Sequence, residues 1–286
     1  VSDEEIEQGF LVTIDSAIKL SLAGVDDAMS TYKPDSELSK LNRFSVGQPY
    51  SLSSDLLQVL LFSKKLFLDS DGMFDITVGP IVDLWGFGAA GSFDQIPTKG
   101  DLERVGRYVG SNHFTIEANQ ITKHRAVQLD LSALAKGFAV DKVGLQLDSL
   151  GLNNYLLEVG GEIVAKGHNK HRTAWVLGIE APSVSQRSAH TLVHLHNVGM
   201  ATSGDYRNFF EQDGKQYSHT LNPRTSFPVE HQLASVSVVS GSSMEADALA
   251  TALMVMGDVR GFDYAEQHRL AAYFIYRGAE GFESKW

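Results

Sequence analysis

The residues best suited to chemistry in this chain lie in Ser243–Gly257, SMEADALATALMVMG. Asp247 and Thr251 stand four residues apart in a run rich in Ala, Leu and Met, good helix formers, so they project from one helix face. A carboxylate and a hydroxyl presented together suit a hard, oxygen-seeking cation such as Mg²⁺. The structural alternative is a Thr hydroxyl bonded back to its own helix and an Asp answering the dipole near the helix start.

Two further stretches carry candidates. In LDLSALAKGFAVDKVG (129–144), Asp130 ends an expected strand, Ser132 can cap a helix, and Lys136 falls in that helix's first turns. A cation there opposes the dipole at a cost of about 0.3–1 kcal/mol. An anionic ligand shared by the ammonium and the helix N–H groups would compensate; a solvated surface lysine is the alternative. In ATSGDYRNFFEQDGKQYSHTLNPRTSFPV (201–229), His219 sits between two hydroxyl residues ahead of the Asn222-Pro223 turn. An imidazole, with an ordinary pKa of about 6.5, is a candidate general base there, with Asp205 next in line; a structural loop histidine is the alternative. His190, His194 and His196 share one face of a strand by period 2 and could bind metal, but with no carboxylate beside them a solvated strand face is the better reading. Gly160-Gly161 is no dinucleotide fingerprint, since GxGxxG is absent, and no GxSxG offers a serine nucleophile.

The whole chain narrows the classes. At 286 residues with 43% hydrophobic and 21% charged content, it has the composition of a globular protein with a sizeable core, in one large domain or two lobes. A formal net charge of −11 argues against nucleic acid and acidic membrane surfaces as partners. An anionic ligand would therefore need local positive charge or a recruited cation. With no cysteine, disulfides, thiolate metal sites and Cys nucleophiles are excluded. No apolar run is long enough to span a membrane.

The elements that must position these residues alternate in character. Residues 3–27 read as an amphipathic helix, with Ile6, Phe10, Ile14, Ile18 and Leu22 recurring and Gly24 weakening its end. Pro34-Asp35 marks a turn before a short helix at Ser36–Leu41. Ser53–Asp69 reads as a helix capped by Ser53 or Ser54, with Leu56, Leu57, Leu60, Leu61 and Phe67 facing the core. Residues 71–88 are apolar and Gly-punctuated, residues 88–99 loop-like, and Thr98–Val105 helical. Strands are expected at Phe114–Ala118, Val127–Leu131, Trp175–Glu180, Thr191–Val198, Ala234–Ser240 and Ala271–Arg277. Lys136–Leu150 reads as a helix, and the run through Gly160-Gly161 as a hairpin. Two short strands flank Asp213-Gly214. Ser243 can cap the Asp247 helix and Gly257 stop it. This mixture predicts an α+β fold with largely antiparallel sheets and flanking helices, not a doubly wound parallel sheet.

Taken together, MSTYKPDSELSKLN, DGMFDITVGPIVDLWGFG, DLSALAKGFAVD, LLEVGGEI, ATSGDYRNFF, SHTLNPRT and SSMEADALATAL resemble the ApbE family, the FAD:protein FMN transferases. The segments occur in family order and cover nearly all of the chain from Met29 onward. The MGT-like segment with which the family usually opens, whose Met touches the flavin, does not occur in these 286 residues.

The resemblance implies one ApbE-type domain over residues 1–286, with two possible lobes and FAD bound between them. It implies Mg²⁺-dependent cleavage of FAD, with FMN joined to a Thr or Ser of an acceptor flavoprotein and AMP released. Hydrolysis of FAD to FMN and AMP, or flavin binding without catalysis, are the alternatives. By motif, Tyr32 would stack on the flavin and Met73, Phe74 and Asp75 would line its pocket. Asp130, Lys136 and Leu221 would contact the nucleotide. Asp247 and Thr251 would bind Mg²⁺, joined by the main-chain oxygen of Ala133, and His219 would activate the acceptor hydroxyl. Family members usually work outside the cytoplasmic membrane, in the periplasm, often as lipoproteins.

Overall fold

The computed structural model describes residues 8–88, 96–182, 188–206, 209–212, 214–279 and 281–286. In chain order α1 (Gln8–Met29), α2 (Glu37–Arg43), β1 (Pro49–Ser51), α3 (Ser54–Asp69), α4 (Gly79–Leu84) and α5 (Lys99–Gly106) come first. Next are β2 (Phe114–Glu117), β3 (Gln120–Lys123), α6 (Ala135–Ser149), β4 (Tyr155–Val159), β5 (Glu162–Lys166), β6 (Trp175–Glu180) and β7 (Ala189–Leu195). Last are β8 (Val198–Gly204), β9 (Phe209–Gln212), β10 (Lys215–Ser218), β11 (Leu233–Ser240), α7 (Ser243–Met256), α8 (Arg260–His268), β12 (Ala271–Gly278) and β13 (Gly281–Lys285). Every strand pair among the described residues is antiparallel, so the α+β expectation holds. No helix among the described residues is long and apolar enough to cross a membrane.

The chain divides into two compact units, each closed by the chain returning to it. The first comprises Val1–Gly24, Leu134–Arg207 and His231–Trp286. Its six-stranded sheet runs β13-β12-β11-β8-β5-β4. On one side the β6–β7 pair packs, burying Ile179 and Leu195 against Ala165, Met200 and Ile275. Helix α7 packs on β8, β11 and α6; Ala246, Ala248, Ala250, Ala252 and Leu253 are wholly buried. Those alanines let helix and sheet approach closely, and glycines complete the fit. A Cβ at Gly199 of β8 would lie 2.2 Å from the Ser243 nitrogen, and one at Gly137 of α6 would lie 2.4 Å from the Ser243 oxygen. Both obstacles are backbone, which cannot swing away. Gly137→Ala should therefore destabilise the protein by about 1–3 kcal/mol, the usual cost of overpacking, read as a lowered thermal midpoint. An unchanged midpoint would contradict this packing.

The second unit comprises Val25–Ala133 and Asn208–Glu230. It holds a three-stranded sheet, β1-β3-β2, the β9–β10 hairpin, and a core of Ile81, Trp85, Leu102 and Leu221. Phe210 and Tyr217 stack with centroids 5.0 Å apart, and Trp85 lies against both. The indole N–H of Trp85 donates to the Ser226 carbonyl at 2.8 Å, satisfying a polar atom in an apolar core.

Several boundaries differ from the sequence reading for identifiable reasons. Helix α1 runs through Gly24 to Met29; burial of Val25 and Met29 outweighs a glycine penalty of about 1 kcal/mol. Residues 3–7 of that expected helix lie outside the described residues. Ser53 caps α3, while Leu61 of its expected core face is 49% exposed. Ser242, not Ser243, caps α7, accepting from the Glu245 N–H at 3.2 Å. Ser132 does not cap α6: the cap position is Leu134, without a side-chain bond. Val127–Leu131 is not a strand. Val127, Leu129 and Leu131 are buried as the alternation predicts, but the Asn42 side-chain amide takes the place of a partner strand. It accepts from the Leu129 N–H at 2.8 Å and donates to the Leu129 carbonyl at 2.9 Å.

Candidate active site

Helix α6 starts without a cap from its own sequence, leaving its first N–H groups to find acceptors elsewhere. Asp247 of α7 supplies one: its Oδ2 accepts from the Gly137 N–H at 3.1 Å. Helix α7 is served in return by Asp141 of α6, whose two carboxylate oxygens accept from the N–H groups of Ser243 and Met244, each at 2.9 Å. The two helices cap each other, α7 with a buried carboxylate and α6 with a half-buried one. Burial pushes the Asp141 carboxyl above its usual range, against those two hydrogen bonds.

Lys136 joins this arrangement. Its ammonium lies 2.5 Å from Glu162 Oε1 and 3.4 Å from Asp247 Oδ2. The side chains of Glu162 and Asp247 are 4% and 5% exposed, while that of Lys136 is 47% exposed. Burial disfavours the ammonium, yet Asp247 and Glu162 outweigh it and hold Lys136 above the ordinary lysine value. Asp247 is pushed up to about 7, chiefly by burial, against the attraction of Lys136. With both carboxylates ionised, one ammonium against two carboxylates leaves one net negative charge at the α6 N-terminus. The compensation for a cation in this first turn is therefore present in the fold itself.

Thr251, one turn beyond Asp247, bonds Ser203 Oγ of β8 at 3.1 Å. Asp247 answers the N-terminus of α6, five residues into its own helix. Asp247 thus answers a helix dipole, but that of α6 and not of its own helix, and Thr251 bonds across to β8. Among the described residues no group of three or more His, Cys, Asp or Glu could hold a metal. Asp247 offers a buried carboxylate and Thr251 a hydroxyl one turn on, donor types that a hard cation accepts.

In the second unit, Tyr32 is 73% exposed in the turn after α1, its N–H bonded to Ser30 Oγ. Met73, Phe74 and Asp75 are buried. Asp75 accepts from the N–H and hydroxyl of Thr77 and from the N–H and hydroxyl of Ser111. Burial raises its carboxyl, and these bonds oppose the rise. Four donors leave Asp75 as the anchor of its loop, so any ligand there meets mainly backbone. A cavity of about 340 Å³ opens beside it, bordered by Asp71, Gly72, Gly110 and Arg224 among others. Arg224 donates to the Asp71 carbonyl at 2.5 Å and pairs with its carboxylate, tying 71–75 to 218–225.

Asp130 accepts from the Ser132 N–H at 2.8 Å, while its own N–H donates to Ile76. Ala133 follows in the turn that leads into α6. Leu221 is a core residue, 6% exposed, so its contact with a ligand would be through the main chain. His219 follows β10, half-buried, its ring edge-on to Phe87 with centroids 6.3 Å apart.

The reserve base fails. Asp205 forms a two-pronged pair with Arg277, which commits both carboxylate oxygens. The histidine strand gives no metal site either: His196 Nδ1 bonds the Gly167 carbonyl at 2.8 Å and His190 packs against Tyr273.

The family model for ApbE matches residues 3–274. This chain belongs to the ApbE family. The Vibrio cholerae FAD:protein FMN transferase is 42% identical over 272 residues, covering 95% of this chain and 81% of that protein. The Haemophilus influenzae protein of the same name is 41% identical over 275 residues, covering 94% and 80%. Among solved structures, the flavin transferase ApbE from Vibrio cholerae superposes with a TM-score of 0.91 at 39% identity, covering 100% of this chain and 90% of that one. The apo flavinyl transferase ApbE from Pseudomonas stutzeri gives 0.89 at 36% identity, covering 100% and 88%. Glu162 and Asp141 are the residues of this cluster that the sequence reading missed. The only local signal was their position in two of the family-like segments, LLEVGGEI and DLSALAKGFAVD.

Proposed function

We propose that this protein transfers FMN from FAD to the hydroxyl of a Thr or Ser on an acceptor protein, releasing AMP, with Mg²⁺ bound by Asp247, Thr251 and the main-chain oxygen of Ala133. The observation that carries the reading is the meeting of Lys136 and Asp247 at the α6 N-terminus, in a chain whose relatives are named for this transfer. The donors are all oxygen and, with both carboxylates ionised, the cluster is one positive charge short, which fits a hard cation.

When bound, Mg²⁺ supplies Lewis-acid neutralisation of pyrophosphate charge. Lys136 holds a phosphate oxygen beside the N–H groups of α6, which favour anions. A unit charge pair at 4 Å gains about 4 kcal/mol at an effective dielectric near 20, so the lysine offsets much of the repulsion from a chain of net charge −11. The acceptor oxygen attacks the FMN phosphorus, His219 takes the hydroxyl proton, and the phosphorus–oxygen bond to AMP breaks. Met73, Phe74 and Asp75 border the flavin, while Asp130 and Leu221 hold the nucleotide. The same reading, by family resemblance, places the protein outside the cytoplasmic membrane.

Tyr32 stacks on the flavin. At 73% exposure its ring contributes little to folding, so its removal isolates binding. Tyr32→Ala should weaken FAD binding about tenfold or more, since aromatic stacking on bases is worth about 1–3 kcal/mol. Tyr32→Phe should bind normally. Unchanged affinity in the alanine variant removes Tyr32 from the site. For the reading as a whole, FAD should yield AMP in the presence of Mg²⁺ and an acceptor, and none after chelation. AMP release that survives chelation contradicts the metal assignment.

A further inference from the structure

Lys136 is shared unequally between its two carboxylates. Its Nζ is 2.5 Å from Glu162 Oε1 but 3.4 and 3.5 Å from the Asp247 oxygens. The first is a charge-assisted hydrogen bond; the others are long for one. Glu162 opens β5 directly after the Gly160-Gly161 turn, whose φ values of 66° and 104° are left-handed. A Cβ on Gly160 would come within 3.3 Å of Glu162 Oε2 and 3.5 Å of Lys136 Cδ. Gly160, lacking a Cβ, thus leaves room for both side chains as the turn leads into Glu162. The second oxygen, Oε2, is buried with no hydrogen-bond partner among the described residues. A buried carboxylate so incompletely satisfied carries a folding cost, against which stands its bond to Lys136.

We infer that Glu162 is a positioning residue that draws the Lys136 ammonium off Asp247 and so keeps the Asp247 carboxylate open to a divalent cation. The inference rests on the proposed cation role of Asp247. Without Glu162, the nearest counter-ion for Lys136 is Asp247, and ammonium and metal compete for the same oxygens. It also gives Gly160 a role that no nucleotide-binding fingerprint explains.

The test titrates Mn²⁺ alone, a hard divalent probe for the same oxygens, into the whole chain without nucleotide, reading unbound metal by electron paramagnetic resonance. Glu162→Gln should weaken Mn²⁺ binding by about 10–100-fold, the usual effect of losing an outer partner of a metal ligand. Glu162→Asp keeps the charge but is one methylene shorter and loses the 2.5 Å contact. Positioning requires it to weaken binding as Gln does; binding like the parent means that charge at a distance suffices, and overturns the inference. Adding Lys136→Met to Glu162→Gln removes the competitor and should restore most of the lost affinity, while circular dichroism of the Gln variant checks its fold. No recovery in a double variant with parental circular dichroism overturns the inference. If both Glu162 variants bind like the parent while Asp247→Asn does not bind, the Glu162 inference falls and the Asp247 reading stands. If the parent shows no Mn²⁺ binding that Asp247→Asn removes, both fall.

Discussion

Asp247→Asn should abolish FAD cleavage and leave the protein folded. The amide oxygen of Asn can still accept from the Gly137 N–H, so the cap that Asp247 lends to α6 survives. Lys136 keeps its closer partner, Glu162. Burial already pushes Asp247 up to about 7, so a neutral isostere places no new strain on the core. What disappears is the negative charge that would hold the cation. Metal neutralisation of phosphate charge is worth several kcal/mol, so turnover should fall by about 10³-fold or more. Asp247→Ala is the poorer variant, because it strands a buried N–H at a cost of about 1–3 kcal/mol. Parental turnover by Asp247→Asn at the same Mg²⁺ concentration would show that Asp247 is a helix cap and nothing more.

The second large effect is expected at His219. His219→Ala should keep FAD affinity and lose FMN transfer by about 10²–10⁴-fold, the usual contribution of a general base. The imidazole is half-buried at the end of β10, and the aromatic group of Trp85, Phe210 and Tyr217 persists without it, so the hairpin should stand. Asp205 is no substitute, being committed to Arg277. The variant should be assayed at saturating FAD and acceptor. Transfer near the parental rate would make His219 a structural residue of the turn.

The parts of the site legible in the sequence are those set by local geometry. Asp247 and Thr251 share a face because they are four apart on a helix, and Lys136 sits in a first turn because a helix follows Asp130. The partners that give these residues their electrostatics lie far along the chain. Glu162 is 26 residues from Lys136, and Asp141 is 102 from Ser243. No local period records such meetings; only the tertiary fold makes them. The same holds for β8, of which the sequence reading covered only Val198, at the end of the expected Thr191–Val198 strand. Val198–Gly204 is poor in strand formers because it lies under the start of α7, where a Cβ at Gly199 would collide with backbone. Close approach was selected there over strand propensity. Val127–Leu131 errs the other way: the alternation reports burial faithfully, but the hydrogen-bond partner is one asparagine side chain.

The central claim is transfer of FMN to protein, and the ratio of covalent FMN to AMP tests it most directly. The protein is incubated with FAD, Mg²⁺ and an acceptor flavoprotein; the acceptor is weighed by mass spectrometry and released AMP is counted in the same sample. The account predicts a mass gain of FMN less one water on a single Thr or Ser, with one AMP per FMN attached. AMP accompanied by free FMN, with the acceptor's mass unchanged, would contradict it and make the protein a FAD pyrophosphatase.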